Sequence, residues 1–325
     1  MPEMNKDYGK ELDDEFDVMQ DAPDSPLQEL DAYSMGDVKA RGQWGTAFRR
    51  LLRSPRAMFG AIVFSAIMLV SFFYSQFHPH QYSDLNQLQI LKSPTWAHPF
   101  GTNVVGTDIF SMVMKGSLQD VKVAVVVALM STFIGLLIGA TAGFYGGIVD
   151  SILMRFTDFV LVVPVLVILS LLSNQLVGSS GNWLALAVLI GSLGWTYIAR
   201  LVRANFLQLR ELEFVEASRA LGASDFRIIT RHLLPNSIGP IVVNATLTVA
   251  GAIGLEATLS FIGLGIHAPA VSLGLMINQG QDLADPFWWL FIWPCAFLLV
   301  MIMCVFFIGD GLSNALDPRK NRVRS

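Results

Sequence analysis

The chain has 325 residues, 53% of them hydrophobic and only 15% charged, against about 25% charged in a typical soluble domain. That balance excludes an ordinary water-soluble enzyme and describes an integral membrane protein. The net charge of −4 conceals a split, because residues 1–38 carry twelve acids and two lysines while the remainder is basic.

Residues 1–40 hold Asp13, Asp14, Glu15, Asp17, Asp21 and Asp24 with Pro23 and Pro26 and few large apolar groups. Such a segment cannot bury enough surface to offset its ordering entropy, and it reads as a disordered tail. Over 41–56, Trp44, Phe48, Leu51 and Leu52 form one helical face and Arg49, Arg50, Arg53 and Arg56 the rest, the pattern of a helix lying in the membrane interface. Pro55 suits the start of the next helix.

About 20 apolar residues cross a bilayer core of roughly 30 Å. Six runs meet that length: 57–77, 122–145, 156–177, 183–201, 238–264 and 287–308, the fourth being short and interrupted by Gly191 and Gly194. The first lacks a small-x-small cleavage site at its end, which argues against a removable signal peptide. Residues 78–121 then form an external loop, 122–310 a five-helix core and 311–325 a basic tail. Cytoplasmic flanks carry the excess of Lys and Arg. The basic residues of 41–56, Arg155, the stretch 200–231 and 319–324 all fall on one side, leaving Lys92, Lys115 and Lys122 at the other. Both termini are therefore expected in the cytoplasm.

Between the fourth and fifth runs, within a cytoplasmic loop over 203–237, residues 216–235 read EASRALGASDFRIITRHLLP. Phe214, Ala217, Ser218 and Leu221 follow helical spacing, and Gly222, followed by Ala223, stands where a C-terminal cap belongs. Ser224 can cap a second helix whose positive end Asp225 complements. Ala217 and Ser218 permit close approach of a partner, Gly222 a sharp corner, and Leu234 and Pro235 the start of the fifth span. Glu216 has two readings, a contact with a partner or an ion pair within the loop, for example with Arg219. His232 is a helix residue near the inner interface, since a lone histidine makes no metal site.

Ionisable groups within apolar runs are functional candidates. Asp158 lies near the inner end of the third run beside Arg155, and Glu256 is deeper. Asn244, Thr248 and Gly251 share one helical face, and with Glu256 they are candidates for a translocation path, the alternative being helix-to-helix packing. Cys295 and Cys304 lack metal-site spacing. The chain has no phosphate-binding Gly-x-x-x-x-Gly-Lys-Ser/Thr loop, nucleophile–base pairing or dinucleotide loop, so neither an enzyme nor a bound cofactor is expected. Basic clusters only flank apolar runs, which leaves nucleic-acid binding without support.

Glu216, Ala217, Gly222, Leu234 and Pro235 resemble the coupling loop of ABC importer permeases, written Glu-Ala-Ala, Gly, Ile-x-Leu-Pro. Ser218 and His232 depart from the general form, and the ending His-Leu-Leu-Pro-Asn resembles the peptide and nickel branch. HPFGTNVVGTDIF at 98–110 and LEATLSFIGLG at 255–265 are similar to the same branch, except that Asn103, Thr107 and Met112 stand where Asp, Arg and Arg are common. The resemblance implies an all-α type I importer permease fold with six transmembrane helices. It also implies a second homologous permease, two cytoplasmic ATPase subunits that bind the ATP, and an extracytoplasmic substrate-binding protein. Oligopeptide or dipeptide uptake is the implied activity, with nickel or another small solute as an alternative. From a different class, an ion-coupled carrier would use Glu256 and Asp158 as coupling carboxylates.

Overall fold

Prolines and caps decide where the apolar runs of this chain break into helices. The computed structural model describes residues 43–77, 89–176 and 182–316; the acidic segment 1–40 and residues 317–325 of the basic tail lie outside the described residues. The chain divides into two units, Met1–Thr46 and Ala47–Ser325, and every helix after the first belongs to the second unit.

Two helices open the described chain. The amphipathic α1 (Gln43–Arg53) ends at Ser54, and α2 (Pro55–Phe77) starts on the proline, whose missing N–H is harmless at a helix start. The long α3 (Ile109–Tyr145) has 37 residues, about 55 Å at 1.5 Å per residue. It begins thirteen residues before the expected 122, so residues 109–121 are helical and not loop. Asp108 is the reason, because its carboxylate accepts from Ser111 N at 2.9 Å and caps the helix.

The third run is two helices. α4 (Gly147–Val162) and α5 (Val165–Leu176) meet at a 75° bend. Pro164 offers no N–H and its ring excludes the carbonyl four residues back, while Val163 before it is forced extended, at φ −75° and ψ 130°. The fourth run bends by 41° between α6 (Trp183–Gly194) and α7 (Thr196–Leu209). There the hydroxyl of Ser131 donates to Gly191 O at 3.1 Å, a side chain from α3 engaging the hydrogen-bond ladder just before the bend. α7 continues eight residues past the expected end at 201.

Short helices α8 (Glu213–Ala220) and α9 (Asp225–Ile228) precede a π-helical turn at Ile229–Leu233, and α10 (Leu234–Phe261) follows without a break. α11 (Leu273–Gln281), absent from the sequence reading, and α12 (Trp289–Leu316) complete the chain. α12 runs eight residues beyond the expected 308 and into the segment taken as a tail. Among the described residues there is no β-strand. Four helical stretches are long and apolar enough to cross a membrane, and six if each bent pair is one span.

α3 is the central post, packed against α2, α4, α6, α7 and α10, and α12 packs on α2 and α10. Gly135, Gly139 and Gly143 form a stripe on α3 that meets α7. A Cβ added at Gly139 would stand 2.8 Å from Val202 Cβ, and one at Gly143 2.7 Å from Phe206 Cβ. Small residues at every fourth position let two helix backbones approach where lipid supplies no hydrophobic drive between helices.

Candidate coupling surface and polar sites

One apolar cluster roots the 216–235 segment. Val215 of α8, Ile228 of α9 and Leu233 of the π turn are fully buried with Phe144 of α3 and Ile198, Val202 and Phe206 of α7. Arg219 lies on the same inner side of α8 as Val215, its guanidinium 5.5 Å from the centre of the Phe144 ring. The helical face expected to meet a partner, Phe214, Ala217, Ser218 and Leu221, points away from the rest of this chain. Leu221 is 88% exposed, and Phe226 just beyond the corner is 77% exposed. Ser218 is half-buried and returns its hydroxyl to Phe214 O at 2.7 Å.

The corner is a Schellman motif. Ala223 N donates to Ser218 O at 3.0 Å, Gly222 N donates to Arg219 O at 2.9 Å, and Gly222 has φ +80°. Ser224 occupies the cap position of α9, but its side chain makes no capping bond; only its carbonyl is used, by Ile228 N at 3.0 Å. Asp225 opens α9 as an exposed residue. Glu216 is exposed and forms no ion pair with another described residue, so the Arg219 pairing is not made. His232 sets its ring 6.2 Å from that of Phe214, tying the π turn to α8.

Pro235 does not start a span. It lies inside one helical column from Asp225 to Phe261, directly after the π turn. A proline clashes with the carbonyl four residues before it, and the widened turn at Ile229–Leu233 makes room for that ring. α9, the π turn and α10 thereby form one continuous helical stretch.

Two ion pairs join α4 to α7. Arg203 grips Asp150 with both Nε and Nη2, at 2.5 and 2.6 Å, which joins the first turn of α4 to α7. Arg200 Nη2 meets Asp158 at 2.5 Å, so the partner of Asp158 is Arg200 and not the neighbouring Arg155.

Of the path candidates, Gly251 is exposed and Asn244 and Thr248 are half-buried on the same side of α10. Their side chains satisfy the helix's own carbonyls, Asn244 Nδ2 donating to Pro240 O at 3.1 Å and Thr248 Oγ1 to Asn244 O at 2.9 Å. Glu256 is separate from this face and wholly buried. Its carboxylate accepts from Ser260 Oγ at 2.7 Å and sits buried beside Asp120 of α3, while its second oxygen has no hydrogen-bond partner among the described residues. Asp120 in turn accepts from Leu273 N at 3.2 Å. Asp120 therefore ties α3 to α11, with Glu256 of α10 buried beside it. Glu256→Ala is expected to cost about 2–3 kcal/mol by orphaning its buried partner, and Glu256→Gln much less. The thermal midpoint of the purified protein in detergent distinguishes the two.

In the segment before and at the start of α3, the three departures from the family pattern meet one another. Asn103 Oδ1 accepts from Val105 N at 3.0 Å and Thr107 N at 2.8 Å, and its Nδ2 reaches Met112 Sδ at 3.4 Å. A neutral set thus closes the turn. His98 bridges Asp108 Oδ1 at 3.0 Å and Gln89 Oε1 at 2.8 Å, and Phe100 stacks on Trp293 at 4.1 Å. Asn103→Ala is expected to lose about 1–2 kcal/mol of local stability and to accelerate proteolytic nicking between residues 89 and 108. Asn103→Asp, which keeps the acceptor, nicks at nearly the native rate.

The glycine stripe and α11 escaped the sequence reading. Four-residue spacing at 135, 139 and 143 was available as a signal. Ser272, whose hydroxyl accepts from Leu275 N at 3.2 Å, was a cap signal for α11.

Residues 135–322 match the family of binding-protein-dependent transport system inner membrane components, and residues 42–94 match the N-terminal transmembrane domain of oligopeptide transport permease C. The oligopeptide transport system permease protein OppC of Bacillus subtilis is 36% identical over 281 residues, 86% of this chain and 91% of that protein. OppC of Mycobacterium tuberculosis is 35% identical over 276 residues, 85% and 94% respectively. Among solved structures, a chain of the MetNI methionine ABC transporter in an inward-facing conformation shares the fold, with a TM-score of 0.52 and 22% identity over 63% of this chain and 96% of that one.

Proposed function

This chain belongs to the family of binding-protein-dependent transport system inner membrane components and is a membrane-embedded permease subunit of a peptide ABC importer; we propose that α8 and its glycine corner are the surface through which separate ATPase subunits drive it. The observation that carries the proposal is the pairing of a buried root with an exposed apolar tip: Val215, Ile228 and Leu233 anchor the segment while Leu221 and Phe226 stand in the open. An exposed apolar pair on a rigid corner suits a complementary groove.

In this reading the N-terminal segment, the corner and the end of α12 face the cytoplasm of a bacterial or archaeal cell. A second homologous permease completes the translocation path, two P-loop ATPases receive the corners of the pair, and an extracytoplasmic binding protein delivers oligopeptides or dipeptides. ATP acts only through its different affinity for the two states of the assembly. Closure of the ATPases draws the corners together, and the column from α9 through α10 carries that displacement to the path face of Asn244, Thr248 and Gly251. No nucleotide chemistry occurs on this chain.

The test is reconstitution of the four-subunit membrane complex with its binding protein in liposomes. ATP-dependent accumulation of a labelled tetrapeptide is expected. Gradient-driven uptake by this chain without ATPases, or accumulation of nickel but no peptide, overturns the assignment. Leu221→Asp is expected to reduce co-purification of the ATPase subunits at least tenfold, read as subunit stoichiometry after affinity capture, because it sets an unpaired charge in an apolar socket.

A further inference from the structure

Two opposite charges meet at one level of the α2–α12 contact without pairing. Gly311 of α12 lies directly against Ala57 of α2, and the neighbouring residues Asp310 and Arg56 line a common groove beside that contact. Both are exposed, and neither forms an ion pair with another described residue. Instead they line one groove of about 560 Å³ whose remaining wall includes Val243 and Leu247 of α10 and Phe306 and Phe307 of α12. The groove continues into the exposed apolar stripe of Leu299, Met303 and Phe306 on α12.

We propose that this groove is a binding site for a zwitterionic phospholipid of the phosphatidylethanolamine type. The guanidinium of Arg56 suits a phosphate, which it can grip with two parallel N–H groups. The carboxylate of Asp310 suits a primary ammonium carrying three donors. A two-carbon linker joins those groups in the headgroup, and the apolar wall below receives the acyl chains. The site favours this lipid over neighbours of similar shape. Phosphatidylglycerol brings a net negative charge against Asp310, and phosphatidylcholine has a quaternary ammonium with no N–H to donate. An Asp near the end of an otherwise apolar helix is costly in lipid unless it faces water or a cation, and the bound ammonium supplies that cation.

The proposal is tested on the intact transporter, purified in detergent and equilibrated with equimolar dioleoyl phosphatidylethanolamine, phosphatidylglycerol and phosphatidylcholine, with lipids retained on this subunit counted by native mass spectrometry. Preferential retention of phosphatidylethanolamine is expected. Asp310→Asn is expected to reduce its advantage over phosphatidylglycerol roughly tenfold, and Arg56→Gln to weaken both phospholipids. Leu247→Trp, which fills the groove without touching either charge, is expected to reduce retention of all three. Equal retention of the three lipids by the native complex overturns the proposal, as does unchanged phosphatidylethanolamine retention in Asp310→Asn and Leu247→Trp.

Discussion

Gly222→Val is expected to cut peptide uptake roughly 5–30-fold while the protein still inserts and folds and its thermal midpoint falls by no more than about a few degrees. Gly222 has φ +80°, in the left-handed region, and a Cβ there would meet nothing within 4 Å. The penalty is therefore purely conformational, about 1–2 kcal/mol for an L-residue and most severe for a β-branched one. Relieving it means releasing the two closing bonds, Ala223 to Ser218 and Gly222 to Arg219, and that lets α8 swing about its root. A penalty of this size lowers the fraction of molecules with a dockable corner by a factor of roughly 5–30, and the apparent affinity for the ATPases falls by the same factor. Activity is expected in the order Gly, Asn, Ala, Val, because Asn tolerates the left-handed region best among the three replacements. Measured uptake in that order with constant protein in the membrane supports the corner as the transmission; full uptake by Gly222→Val removes it.

Gly139→Val is expected to fail earlier, at folding. Its added Cβ would stand 2.8 Å from Val202 Cβ and closer still to the carbonyl oxygen of Ala199. A flexible side chain can yield, but a backbone carbonyl in the middle of a helix cannot. α3 and α7 must separate, at a cost of about 3 kcal/mol, the upper range for overpacking. Separation also breaks the cluster of Val202, Phe206, Val215 and Ile228 that roots the coupling segment. The variant is expected to show less protein in the membrane, a lower thermal midpoint and no uptake. Val202→Gly, which removes the Cβ that the new side chain meets, is expected to recover part of the loss caused by Gly139→Val, and a double-mutant cycle reads the coupling between the positions. Gly222→Val and Gly139→Val thus separate transmission from assembly: both lose uptake, but only the second loses its fold.

How far the chain could be read without its structure depended on the range of the interaction involved. Span count, the interfacial helix and the helix–corner–helix of the coupling segment are written in composition, periodicity and caps that act over a few residues. The Schellman bonds close within six residues of one another, so Gly222 could be placed on sight. Pro164 sat in plain view within the third run, and its local rule was sufficient to predict a break there; the uninterrupted hydropathy of the run concealed it.

Partners across the fold were not legible. Asp158 has Arg155 three residues away, yet its cation is Arg200, on a helix whose place is set by the packing of α4 and α7. Glu256 shared a sequence neighbourhood with Asn244, Thr248 and Gly251, but five residues past Gly251 turn it away from their face and toward Asp120, more than a hundred positions earlier. That Val215 and not the Leu221 face of α8 is buried within the chain follows from the same long-range packing. Periodicity identifies which residues share a stripe, and only the neighbouring helices determine which stripe is covered.

By itself, then, the sequence determined that this protein crosses a membrane several times and that its charged loop turns on a glycine, because hydrophobic length and backbone conformation are properties of short segments. The tertiary structure alone decided that α8 shows Leu221 outward, that the π turn lets Pro235 ride inside one column, that Glu256 is buried beside Asp120 and that Arg56 and Asp310 flank a single groove. Each of those depends on close packing, in which a side chain's surroundings are set by residues far away in the chain.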